Sequence, residues 1–277
     1  MVSLSPAWKT LILNQLKANI ALQGPTATYA SLSTVRADNT PANRTVVLRG
    51  FAGESHEEET GWESDLLTIT CDKRSAKMEQ LLNNPNVEIN WFMCGTKEQF
   101  RLRGRLFPYG HGIGPEPSLD RHIAPKAQAK KVTDGEDEDN LADKLSQASK
   151  SFLKRIKSRL HRHKKTKEEE VEEEFDWEAE RLRQWHALGD ELRATFSWPK
   201  SCEALNTTTE RVSKLAIHTT DDKGWFVNDD PEHQALLERA YENFVVLFLE
   251  VDEMDHLVLE TGERTLYKDQ ETIRLNA

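Results

Sequence analysis

Residues 41–51 read PANRTVVLRGF, and the six from Arg44 to Arg49 decide how the rest of the chain is understood. Two arginines bracket four β-formers, a pattern that predicts a strand. A strand repeats every two residues, so an odd separation sends the two arginines to opposite faces unless a bulge intervenes. An edge strand with two solvated arginines would read the same way, and a hexapeptide alone does not separate the two.

The next runs narrow the choice. After a strand expected over 65–70 comes CDKRSAK (71–77), then apolar residues at Met78, Leu81 and Leu82, and an Asn84-Pro85 stop. Ser75 is the expected N-cap of a short helix over 75–83, which begins where Arg74, Ser75 and Lys77 cluster. Free N–H groups, a hydroxyl and two cations at a helix start make a site for a phosphate dianion. A capped surface helix is the plainer alternative. In the strand over 98–107, Gln99, Arg101, Arg103 and Arg105 share one face, while Phe100, Leu102 and Leu106 share the other. Three arginines on one face repel unless acids or an anion lie opposite. Gly104 admits a close backbone or ligand.

Together these runs resemble the pyridoxamine 5'-phosphate oxidase family of FMN-binding split barrels. The shared frame is R-x-V-x-L-[KR] at Arg44–Arg49, then T-x-x-x-x-S-x-K-x-x-Q-L-x-x-N-P from Thr70 to Pro85, then Q-x-R-x-x-G at Gln99–Gly104. The resemblance covers roughly residues 8–108 and, more loosely, 178–277. It implies a mainly β fold with flanking helices, an antiparallel Greek-key split barrel. It also implies FMN as cofactor, bound between two protomers of a homodimer. The roughly 16 Å spanned by five strand residues is about the phosphate-to-ring length of FMN. Carried over by position, Arg44 and Lys77 hold the phosphate, helped by Ser75 or by Arg74, because the family's usual arginine between serine and lysine is Ala76 here. Thr70 and the backbone of Val46, Val47 and Leu48 line the ring, beside Arg49. Gln99 reaches polar atoms of the flavin, and Arg264 matches an arginine that arrives from the other subunit.

The departures bear on the substrate. The Arg-Leu-His triplet that grips substrate in the vitamin oxidase is missing; the corresponding loop reads TGER (261–264). Arg49 stands where lysine is commoner, with different hydrogen-bond geometry. The chain therefore reads as an FMN-dependent oxidoreductase with an unknown small substrate. A flavin-binding or split-barrel interaction protein without turnover, and a true pyridoxamine phosphate oxidase, are the alternatives. No nucleophile–base pair or metal cluster offers a flavin-free mechanism, and no catalytic residue is assigned.

Composition sets outer bounds. The net charge of −10 argues against nucleic acid and anionic membranes as general partners. Three cysteines, at 71, 94 and 202, lack paired spacing, which fits a reducing compartment and a cytoplasmic protein. No apolar run approaches the ~20 residues of a membrane span.

Along the chain, Ser5-Pro6 opens an apolar-striped helix, and Tyr29–Val35 forms a hairpin with the Arg44 strand. Three regions follow: 1–110 as the first part of the barrel, 111–176 as a charged mobile insertion, and 177–277 as the helices and strands that complete the barrel. The insertion is too polar to offset its ordering entropy. Residues 150–167 form a basic amphipathic helix, a weak candidate for an anionic surface or partner, since the glutamates at 168–174 neutralise it. A helix is expected over 177–197, stopping at Trp198-Pro199, and another from Pro231. The apolar run after Phe244 suits a strand buried on both faces.

Overall fold

The structure, a computed structural model, describes residues 5–54, 61–126, 174–201, 211–269 and 271–276. Helix α1 (Ala7–Gln23) buries Trp8, Ile12 and Leu16 at helical spacing. Pro6 takes its N-cap position, one residue later than the expected Ser5 cap. A short 3-10 turn leads into β1 (Tyr29–Val35), which pairs with β2 (Pro41–Phe51) in register from Tyr29↔Val47 to Val35↔Pro41. The short strand β3 (Trp62–Ser64) precedes β4 (Leu67–Asp72), helix α2 (Ala76–Asn83), β5 (Asn86–Met93) and β6 (Glu98–Gly110). After a 3-10 turn at Pro117–His122, β7 (Ile123–Pro125) returns to pair with β3.

The helix expected over 177–197 is two helices, α3 (Trp177–His186) and α4 (Asp190–Thr195). Gly189 breaks the run by taking an extended conformation as the N-cap of α4. The two-residue strands β8 (Thr219–Thr220) and β9 (Phe226–Val227) pair with each other. Helix α5 (Pro231–Asn243) has Pro at its first position and is capped by Asp230, whose carboxylate accepts from the N–H groups of Glu232 and His233. Then come β10 (Phe244–Val258), β11 (Glu263–Lys268) and β12 (Glu271–Leu275).

Six strands close a barrel in the order β10-β4-β2-β1-β5-β6, with β6 returning to β10, and every pairing is antiparallel. The connection from β4 to β5 crosses β2 and β1 through α2, which gives the Greek-key path. Strand β10 separates two cores, as its unbroken apolar run requires. Val245, Leu247 and Leu249 face the barrel interior with Ile69, Ile89 and Phe100. Phe244, Val246 and Phe248 face a second core with Trp185, Phe196, Phe226 and Tyr241. Met78 and Leu81 of α2 join the barrel core, so α2 closes one end of it.

The arginine stripe of β6 is answered by acids on both flanks. Arg101 meets Glu88 at 2.7 Å and Asp255 at 3.7 Å, Arg103 meets Glu253 at 3.4 Å, and Arg105 meets Glu250 at 2.8 Å. Gly104 faces another backbone: a Cβ there would lie 1.9 Å from the Glu250 carbonyl oxygen. The basic segment 150–167 and most of the expected insertion lie outside the described residues. No helix among the described residues is long and apolar enough to cross a membrane.

Candidate functional site: a cleft between β2, β4 and α2

The ladder between β2 and β4 holds at Leu48↔Ile69 and Phe51↔Leu67, with an extra β2 residue between them. Gly50 absorbs that bulge at φ 102°, a conformation open to glycine. The ladder has no further pair toward Arg44, so the β4-side edge of residues 44–47 is left for another partner. This open edge, with α2 following directly from β4, is the candidate cleft.

The pleat sorts the side chains. Val46 and Leu48 point into the barrel core, while Val47 lies on the outer face with Arg49 and Thr70. Arg49 donates from Nε to Thr70 Oγ1 at 3.3 Å. Arg44, on the inner parity at the barrel end, donates to Thr34 Oγ1 at 2.6 Å, to the Leu32 carbonyl at 3.4 Å and to Gln80 Oε1 at 2.7 Å. Gln80 sits on α2 three residues beyond Lys77, so the two share a helix face. Arg44 is thereby held against the part of α2 that carries Lys77.

Ser75 occupies the N-cap position of α2, yet its hydroxyl caps no backbone group. Instead it accepts from Lys77 Nζ at 3.1 Å. The hydroxyl thus leaves the first turn without a side-chain cap, although the Met78 N–H bonds the Ser75 carbonyl at 3.0 Å.

The charge state of this cleft is unusual for the molecule. Among the described residues, Arg44, Arg49 and Lys77 contact only neutral acceptors, with no carboxylate. Burial lowers the Arg44 guanidinium below its usual range, and neighbouring Arg36 lowers it further. Burial also lowers Arg49, with Tyr29 opposing. Desolvated cations without a counter-charge are held at a cost that a bound anion relieves. Cys71 lies in the barrel core, where burial pushes its thiol up to about 11 despite Lys77 nearby.

Arg74 is placed differently from the other cations. Its guanidinium clasps Asp72 and donates to the carbonyls of Phe196 and Trp198. It ties α2 to the end of α4, and its donors are already engaged. Gln99 and Arg264 stand apart as well. In the closed barrel β6 is opposite β2, so Gln99 lies across the molecule from Arg44–Arg49. Gln99 and Arg264 both register with Leu257 of β10, on either side of it. Arg264 there is paired with Asp255 at 2.6 Å.

The segment that carries this cleft matches a known family: residues 5–110 align with pyridoxamine 5'-phosphate oxidase, FMN-binding domain. Over these residues the chain is similar to the FMN-binding domain of that family. Its cofactor is FMN. The Arabidopsis thaliana protein pyridoxine/pyridoxamine 5'-phosphate oxidase 2 is 39% identical over 99 residues, which is 36% of this chain. The chain spans 44% of that relative's length. A pyridoxamine 5'-phosphate oxidase-related, FMN binding protein from Nostoc punctiforme PCC 73102 shares the fold, with 22% identity and a TM-score of 0.57 over 98% of each chain.

The donor set fits the cofactor's phosphate on its own chemistry: among the described residues Arg44 and Arg49 of β2 and Lys77 of the first turn of α2 have no carboxylate partner. Thr34, Gln80 and Tyr29 were not singled out in the sequence. Gln80 stands in the Q-L of the family frame, so the signal was present, but only the fold brings it to Arg44.

Proposed function

We propose that this chain is an FMN-dependent oxidoreductase acting on a small substrate as a homodimer in the cytosol. The observation that carries the reading is that Arg44, Arg49 and Lys77, on β2 and the first turn of α2, have no carboxylate partner among the described residues. In this reading Arg44, Lys77 and Ser75 hold the phosphate through charge-assisted hydrogen bonds. Arg74 is left out of that clamp because its donors are engaged elsewhere. Val47, the backbone of Val46 and Leu48, Thr70 and Arg49 flank the ring. When bound, FMN supplies hydride chemistry, and the protein's share is to bind, orient and exclude water.

The homodimer reading is supported by the division of the expected residues. Gln99 and Arg264 share a face with Phe92, Leu257 and Leu275, in one row across five strands. Phe92 and Leu275 are exposed there, as is Ile273 one row away. An exposed apolar row supports an interface. A two-fold dimer would bring that wall of one subunit to the cleft of the other. The free thiols Cys71 and Cys94 suit a reducing compartment.

The missing Arg-Leu-His triplet favours a second reading, a flavin-binding protein without turnover. The test is direct. The purified protein should carry FMN, and Arg44→Ala or Lys77→Ala should weaken FMN by about 1.5–3 kcal/mol each, the range for a hydrogen bond to a charged group. Unchanged affinity in both variants would remove the phosphate from this cleft. Steady peroxide release on adding pyridoxamine 5'-phosphate would identify the vitamin oxidase activity. Flavin that no reductant or amine substrate turns over would leave the binding reading in place.

A further inference from the structure

Gln80 closes a ring of hydrogen bonds drawn from three elements. Its Oε1 accepts from Arg44 at 2.7 Å and from the Thr34 hydroxyl at 2.6 Å. Thr34 Oγ1 in turn accepts from the other terminal nitrogen of Arg44 at 2.6 Å. Guanidinium nitrogens only donate, so the amide atom facing Arg44 must be oxygen. The orientation of the Gln80 amide is therefore fixed by chemistry, and its Nε2 is turned away from the arginine with two N–H donors.

The choice of a neutral amide matters. A carboxylate at this position would bind Arg44 more strongly but cancel its charge and repel an arriving anion. An amide holds the same geometry and leaves the guanidinium positive. Thr34 is buried on β1, and Leu81, next to Gln80, packs in the barrel core, so the ring is braced from both sides. Flexible arginines lose affinity through the entropy of ordering, and pre-organisation reduces that loss.

We infer that Gln80 is a positioning and binding residue for the flavin phosphate: it fixes Arg44 toward the ester and offers its own Nε2–H to the same anion, so that the cleft prefers FMN over riboflavin. The inference rests on the reading of the cleft as the phosphate site. It gives a neutral side chain on α2 the task of distinguishing phosphorylated from unphosphorylated flavin.

The experiment measures FMN and riboflavin affinities separately by flavin fluorescence titration of the deflavinated full chain. Gln80→Ala should weaken FMN about tenfold or more and change riboflavin less than about twofold, following the range for hydrogen bonds to charged groups. Gln80→Glu, which keeps the acceptor contacts to Arg44 and Thr34 and so preserves the fold, should lose FMN at least as strongly. The double variant Arg44→Ala/Gln80→Ala should lose less than the sum of the singles, because the two act as a unit. Equal loss of both flavins in Gln80→Ala, or a Gln80→Glu variant with full FMN preference, would overturn the role of Gln80. Were Arg44→Ala also to keep the FMN preference, the phosphate reading itself would fall; loss of preference in Arg44→Ala alone would remove only Gln80.

Discussion

Arg44 and Arg49 are five residues apart on one strand, and their environments show what an arginine does without an acid. Elsewhere on the barrel each outward arginine of β6 is paired with a carboxylate. On β2 the partners are hydroxyls, a carbonyl and an amide. A desolvated charge with neutral partners weakens the fold slightly while it prepares a site. Arg49→Ala is therefore expected to leave the flavin-free protein as stable as before or more so, while FMN binds less tightly. Thermal unfolding with and without FMN checks both halves; a destabilised flavin-free variant would mean that Arg49 holds the fold rather than the ligand. The odd spacing in the sequence already indicated two faces, and the structure agrees: Arg44 lies at the barrel end and Arg49 on its outer wall. That Arg74 is a clasp was not legible, because its partners Phe196 and Trp198 lie more than a hundred residues away in sequence.

Two contacts between elements set the shape around the site. Strand β6 runs against β10 along its whole length, with a register shift between Val251 and Glu253 opposite Gly104. Because any Cβ at 104 would collide with the Glu250 carbonyl, Gly104→Ala should force the strands apart and cost about 3 kcal/mol, the upper part of the overpacking range. Urea unfolding measures this, and a loss below ~0.5 kcal/mol would show that the ladder shifts easily.

The second contact fastens the 3-10 turn before β7. His122 places Nδ1 2.8 Å from Asp65 and Nε2 3.2 Å from Glu250, and Arg121 and Arg105 also reach Glu250. Burial alone would lower the imidazole, but Asp65 and then Glu250 outweigh it and raise His122 above its usual range. A raised folded value means the contribution is complete below the unfolded pKa of about 6.5 and fades as pH climbs through the folded value. The stability difference between the wild type and His122→Gln should thus be largest at acid pH and shrink toward alkaline pH. A difference that does not vary with pH would exclude an imidazolium in this contact.

At the scale of the whole molecule, the residues expected to share one flavin are divided between opposite walls of the barrel. Arg44, Arg49, Thr70, Ser75 and Lys77 belong to β2, β4 and the start of α2, whereas Gln99 and Arg264 lie on β6 and β11, on either side of β10. If two subunits complete each other's sites, Arg44→Ala and Arg264→Ala proteins should each bind FMN poorly. Mixed and re-associated, they should regain up to half of the intact sites per heterodimer. Light scattering gives the assembly state and flavin titration gives the site count. A monomer, or no recovery on mixing, would return Arg264 to a purely structural pairing with Asp255.

By itself the sequence determined the longer strands of the first 110 residues, the hairpin from Tyr29, the short helix with its basic start and the family that this stretch resembles. Those are local matters of alternation, capping and spacing, each decided within about twenty residues. Tertiary structure alone decided which cations lack a counter-charge, because that depends on acids such as Asp255 and Glu250 brought from the far end of the chain. It also decided that a glutamine one helical turn beyond Lys77 grips Arg44, a contact spanning three elements that no periodicity records.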